Sequence, residues 1–130
     1  IDIGTIYLPN KGDHEQAITE LRPLLKIVTA EDEKANIQYA IAENYFEMGD
    51  YANALREFLI LRYNQNAGVM WIASAQMKVA ECYAAQNNIE QAIQELEAIK
   101  SRHGAASMYG IGAEKRIQQI KAQSESGFTR

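Results

Sequence analysis

Little in this sequence points to covalent chemistry or to a lipid bilayer. Its 130 residues contain one cysteine, Cys82, which excludes an internal disulfide framework and leaves the redox compartment open. No apolar run approaches the roughly 20 residues of a membrane span, so direct membrane insertion by this segment is not expected. Basic residues are the minority, 13 Lys and Arg against 17 Asp and Glu, and the net charge of −4 gives no general pull on nucleic acid or anionic lipid. No segment alternates like a strand, so there is no strand from which a glycine-rich phosphate loop could spring. The chain starts at Ile1 without a methionine and reads as a fragment from which any targeting segment has been cut.

What is present is helix-forming sequence of ordinary globular composition, 47% hydrophobic and 23% charged. A chain of this length is one domain's worth and should bury roughly two-thirds of its surface on folding. Residues 1–8 are mostly apolar and end at Pro9, as either the stump of a helix or an extended arm. Asp13 is placed to cap a helix in which Ala17, Ile18, Leu21, Leu24, Leu25 and Val28 fall at three- and four-residue spacing. Pro23 lies inside that stripe and predicts a kink without a stop. Thr29 to Asp32 resembles a capping box for a helix from about Glu31 to Met48. Gly49-Asp50 turns the chain into a second helix, Tyr51 to Tyr63. After the loop at Asn64–Gly68 come a helix from Val69 to about Gln86, a turn at Asn87-Asn88, and a helix from Ile89 to about Arg102. His103-Gly104 ends it, with the His103 cation expected to complement the helix dipole. A last helix, Ser107 to about Ala122, is weakened by Gly110 and Gly112, and residues 123–130 are expected to fray. The fold class is all-α.

The strongest signal is repetition. Gln38-x2-Ile41-Ala42-x2-Tyr45 followed by Ala54-x3-Phe58 returns 38 residues later as Gln76-x2-Val79-Ala80-x2-Tyr83 followed by Ala92-x3-Leu96. Half of it also stands earlier, as Ala17-x3-Leu21. Small residues at 42, 54, 80 and 92 let two helix backbones approach closely, and the tyrosines with Phe58 or Leu96 fill the space between neighbours. Periods of this length built from helix pairs mean a solenoid.

These residues resemble the tetratricopeptide repeat (TPR) family over about residues 10–104. The family's tryptophan and proline are missing from their usual places, and the spacing exceeds the standard period of about 34. The lengthened copies, with Lys78-x-Ala80-x-Cys82-Tyr83, are further similar to bacterial cell-envelope TPR proteins of the Tol-Pal coordinator and outer-membrane assembly lipoprotein type. The resemblance implies a right-handed α-solenoid of about three helix pairs and a capping helix. Residues 1–30 would form a truncated first repeat, 31–65 the second, 69–104 the third and 107–122 the cap. It places the chain in the periplasm or cell envelope if the envelope likeness holds, and otherwise in the cytoplasm.

No set of side chains reads as an active site. Cys82 is a small buried hydrophobe, His14 and His103 are far apart without ligands at metal spacing, and Glu43 with Glu47 is a solvated helix face. Neither cofactor nor metal is implied. The TPR resemblance instead implies a concave face on the first helix of each pair, able to hold a peptide or helix of a partner. In the second repeat that face carries Asn36, Tyr39, Glu43, Phe46 and Glu47. The third contributes Ser74, Met77, Lys78 and Glu81, and the last helix Lys115 and Gln119. Tyr39, Phe46 and Met77 would be apolar anchors, and the acids would favour a neutral or basic segment over a C-terminal carboxylate. The alternative is a structural, self-associating role. Ile18, Leu21 and Leu25 at an open solenoid end would then be covered by Ile3, Ile6 and Leu8, by another repeat or by a second copy in a homodimer, with Met70 and Trp71 as a second patch.

Overall fold

A computed structural model describes residues 11–128, and the apolar segment 1–8 lies outside them. Every regular element among the described residues is helical: α1 (Lys11–Leu21), a 3-10 turn (Arg22–Lys26), α2 (Glu31–Glu47), α3 (Tyr51–Arg62), α4 (Val69–Ala85), α5 (Ile89–His103) and α6 (Met108–Phe128). The chain clusters into two compact units, one up to Ala75 and one from Gln76, with the boundary inside α4.

In the first unit α1 packs on α2, and α2 on α3. Ala17, Ile18 and Leu21 from α1 meet Ile37, Ala40 and Ile41 from α2, with Leu24, Leu25, Val28, Tyr45 and Met48 around them. At the α2–α3 pairing Ala42, Ala54 and Phe58 are wholly buried, as the repeat spacing predicts. In the second unit Ala80, Ala92, Leu96 and Ile99 join Ala113, Ile117 and Ile120 of α6 in one core.

Local chemistry sets the element ends, and it departs from the sequence reading at four places. Pro23 does stop the α-helix: α1 ends at Leu21 and the chain continues as the 3-10 turn, with Pro in its first residues. Proline there has no N–H to donate and crowds the residue before it, which the tighter turn tolerates. Asp13 sits within the first turn of α1, because the helix already begins at Lys11. The residue preceding α2 is Ala30, whose side chain makes no cap, so the Thr29 capping box does not form and Glu31, Asp32 and Glu33 act on the helix dipole alone. Finally, α6 extends to Phe128, past Ala122, so residues 123–128 are helical.

Elsewhere the turn residues behave as their chemistry demands. Asp50 caps α3 by accepting from the Asn53 amide at 3.2 Å. Gly49, Asn87 and Gly104 adopt φ of 82°, 65° and 93°, the left-handed region open to glycine and tolerated by asparagine. Ser107 Oγ accepts from the Gly110 amide at 3.0 Å and starts α6. Gly110 is more than a weak helix former. A Cβ there would stand 2.0 Å from the Gly104 carbonyl oxygen, so this turn of α6 closes on the preceding loop only because no side chain intervenes.

The seam carries the first prediction. Ala54→Leu puts three extra carbons at a site with no exposed surface, and overpacking of that kind costs about 1–3 kcal/mol. Thermal denaturation should show a clear fall in melting temperature; an unchanged value would remove Ala54 from the seam.

Candidate functional site

Within the first unit, α2 presents Asn36, Glu43 and Glu47 on one strip, with Tyr39 and Phe46 beside it. Asn36 and Glu47 are exposed and Glu43 is half-buried. Tyr39 is tied into the packing. Its ring meets Phe58 edge-on at 5.4 Å and Trp71 at 5.8 Å. Trp71 Nε1 in turn donates to Asp32 Oδ1 at 2.7 Å, which holds the start of α4 against the start of α2. Burial, with Glu43 adding to it, pushes the Tyr39 hydroxyl pKa up to about 12. Phe46 stacks edge-on against Tyr51 at 5.1 Å. Both aromatics are thus partly spent on holding helices together. Ser74 is half-buried on α4.

In the second unit, Met77 packs against the Ala80–Leu96 core, and Lys78 is half-buried. Glu81 is taken up inside the fold. Arg116 Nε and Nη2 donate to its two carboxylate oxygens at 2.5 and 2.8 Å, a bidentate pair linking α4 to α6. That pairing raises the Arg116 pKa against the opposing effect of burial. The acidic rim expected at Glu81 is therefore neutralised by Arg116, which the sequence places only in a short basic strip with Lys115 and Lys121. Lys115 and Gln119 are exposed, and Gln119 accepts from Arg116 Nη1 at 3.3 Å. Lys100 Nζ donates to Glu114 Oε1 at 2.6 Å and joins α5 to α6 in the same manner.

The self-association patch needs correction. Ile18 and Leu21 are buried, at 7% and 0% exposure, because α2 supplies Ile37, Ala40 and Ile41 as their cover; Leu25 is half-buried beside them. Met70 is exposed at 54%, together with Val69, Ile60 and Tyr63, whereas Trp71 is half-buried by its partners.

Three buried polar features were not legible from the repeat pattern. His14 Nδ1 lies 2.8 Å from Asn44 Oδ1. Because Asn44 Nδ2 donates to the Ala40 carbonyl at 2.7 Å, its oxygen must face His14, and the imidazole proton sits on Nδ1. Gln38 Nε2 donates to the Glu57 carbonyl and carboxylate at 2.8 and 2.9 Å, and Arg22 completes the set with a 3.1 Å salt bridge to Glu57. Gln76, the repeat counterpart of Gln38, has both amide atoms buried without a hydrogen-bond partner.

Among the described residues, the titratable groups with shifted pKa values do not converge on one place. Burial pushes the Cys82 thiol up to about 12, against the pull of Lys78 and with the help of Glu81, so it stays a thiol. Burial, then the neighbouring Arg102, lowers the His103 pKa, so the dipole-complementing cation expected there is disfavoured. Its Nε2 is buried without a partner and its ring lies 5.1 Å from Tyr109. Among the described residues no three His, Cys, Asp or Glu side chains gather to hold a metal, and no helix is long and apolar enough to cross a membrane.

Comparison with known proteins agrees with the fold. A family model described as tetratricopeptide repeat matches residues 74–105, which take in most of α4, all of α5 and the Ala80, Ala92 and Leu96 positions. No curated protein matches the chain, and no solved structure does. The match supports the resemblance drawn from the spacing of the second and third copies.

Two outcomes follow from this geometry. Tyr39→Ala should destabilise the first unit by about 2–4 kcal/mol, since a partly buried aromatic loses both its ring partners. Trp71 is the sole tryptophan, so its fluorescence reports the transition directly; an unshifted unfolding midpoint would return Tyr39 to the role of a free anchor. The second outcome concerns pH. His103 binds protons less readily folded than unfolded, so its contribution is intact above the unfolded pKa near 6.5 and is lost as pH falls from there through the lower folded value. Melting temperature should therefore drop less between pH 7 and 5 in His103→Phe than in the parent protein, and equal drops would contradict it.

Proposed function

With a tetratricopeptide repeat over residues 74–105 as its premise, we propose that this chain is a non-catalytic interaction module that holds a segment of a partner protein. Repeats of this kind are protein-interaction modules. The observation that carries the finer reading is the acidic strip Asn36–Glu43–Glu47 on α2, with Asn36 and Glu47 exposed and Glu43 half-buried beside Tyr39. Two carboxylates one turn apart repel an incoming C-terminal carboxylate and attract a neutral or basic segment. In the second unit the matching acid is neutralised by Arg116, and the exposed Lys115 and Gln119 give that unit a different polarity.

Self-association is the competing reading, favoured by the exposed apolar group Ile60, Tyr63, Val69 and Met70. It predicts a dimer by light scattering that Met70→Glu dissociates. The interaction reading predicts instead that a displayed peptide library selected on the protein yields basic segments. Glu43→Lys combined with Glu47→Lys should lower their affinity at least about five-fold while leaving the melting temperature within a degree or two. Selection of acidic or C-terminal-carboxylate peptides, or indifference to the double reversal, would overturn it.

A further inference from the structure

A second binding surface lies on the other side of α2. Tyr45 is two residues from Glu43 and so points about 160° away from it around the helix. It lines two open cavities of about 440 and 560 Å3 that share Ile18, Thr19 and Tyr45 and so form one trough beside α1. The trough is built and positioned by the core. Ile18 and Tyr45 belong to the α1–α2 packing, and Arg22 Nη2 reaches the Tyr45 hydroxyl at 3.4 Å while bridging to Glu57.

The two ends of the trough differ in charge. Glu15 and Asp50 line one cavity together with Met48. Arg22 and Lys26 line the other. Arg22 keeps 46% of its side chain exposed but shares its charge with Glu57, so Lys26 supplies most of the net positive potential. Along the chain the acidic and basic ends are separated by seven residues of helix at Arg22 and by eleven, partly 3-10, at Lys26. At about 1.5 Å per α-helical residue and 2.0 Å per 3-10 residue this is roughly 10 to 18 Å. An extended peptide rises about 3.3 Å per residue and crosses that distance in about three to five residues.

We infer that this trough is a docking site for an extended, bipolar segment of a partner protein: a basic side chain over Glu15 and Asp50, an apolar side chain against Tyr45 and Pro23, and an acidic side chain three to five residues away over Arg22 and Lys26. The commitment to a bipolar occupant rests on charge complementarity. A purely basic or purely acidic segment meets like charge at one end, and like charges juxtaposed cost affinity. The apolar lining asks for a hydrophobic residue between the two. This surface is separate from the acidic strip on α2, and the two stand or fall independently.

The test uses the whole chain and three labelled probes: an Arg-Ala-Leu-Ala-Glu peptide, and versions with Arg at both ends or Glu at both ends. Amide chemical shifts are followed by NMR as each is titrated to millimolar concentration. The bipolar peptide should bind most tightly and perturb residues 15–26 and 45–50. Glu15→Lys should weaken it about five-fold or more and improve binding of the doubly acidic peptide, while Lys26→Glu should do the same for the doubly basic one. Both substitutions are at exposed positions and should leave melting unchanged. Glu43→Lys with Glu47→Lys should leave bipolar binding as it is. The inference is overturned by no binding at millimolar peptide, by equal binding of all three probes, by indifference to both reversals, or by light scattering that shows a dimer with the trough at its interface.

Discussion

The whole architecture depends on how closely two helix backbones are allowed to approach. At Ala42 and Ala54 in one unit, and at Ala80 and Ala92 in the other, a methyl group is all that stands on the inner face, and all four are fully buried. Where side chains are this small, the remaining volume is filled by one large residue per pair, Phe58 or Leu96, which sits four positions after the second alanine. Close packing then fixes the pairing, because an interior near crystalline density accommodates neither a gap nor an extra methylene without loss. Gly110 takes the same device to its limit, admitting a carbonyl where even a methyl would collide.

Small residues decide which faces meet, but polar contacts decide how the elements are pinned along their length. Arg22, Glu57 and Gln38 connect the 3-10 turn, α3 and α2, and every buried member has a partner. The counterparts are Leu59, in step with Arg22 as Phe58 is with Leu21, together with Glu95 and Gln76, so the cation is replaced by a half-buried leucine. Gln76 keeps the amide without the bonds, and an unpaired buried polar group of that sort costs about 1–3 kcal/mol. The second unit recovers cross-helix polar contacts elsewhere, through Arg116 to Glu81 and Lys100 to Glu114, both reaching α6. The two repeat copies thus share apolar geometry and differ in their electrostatics.

That division explains what was legible in the sequence. Apolar spacing is a local property of the chain, so the helices from α2 to α5, the alanine positions and the left-handed turns at Gly49, Asn87 and Gly104 follow from it directly. Buried and part-buried polar pairs join residues 19 to 35 positions apart, as Gln38 does with Glu57, His14 with Asn44 and Arg116 with Glu81, and nothing in a helical stripe marks them. Pro23 misled because a stripe of leucines continues through it: apolar period persists across a 3-10 turn, whereas α-helical hydrogen bonding does not. Leu21 and Ile18 misled in the opposite sense. They look uncovered only if each helix is credited with a single apolar partner, and α2 serves both α1 and α3.

The same double duty of α2 shapes the function. A helix packed on two sides has few positions left for a ligand, and the large aromatic ones are drawn into the packing first: Tyr39 goes to Phe58 and Trp71, Phe46 to Tyr51. What remains is polar at Asn36 and Glu47, so the recognition proposed along Asn36–Glu43–Glu47 rests on charge and hydrogen bonding more than on apolar anchors. Apolar recognition is available instead where α1 runs beside the end of α2 and leaves Tyr45 lining a trough. A partner that needs both affinity and sign discrimination gains most where an apolar floor lies between charges of opposite sign, because the hydrophobic contact is indifferent to direction while the charges are not.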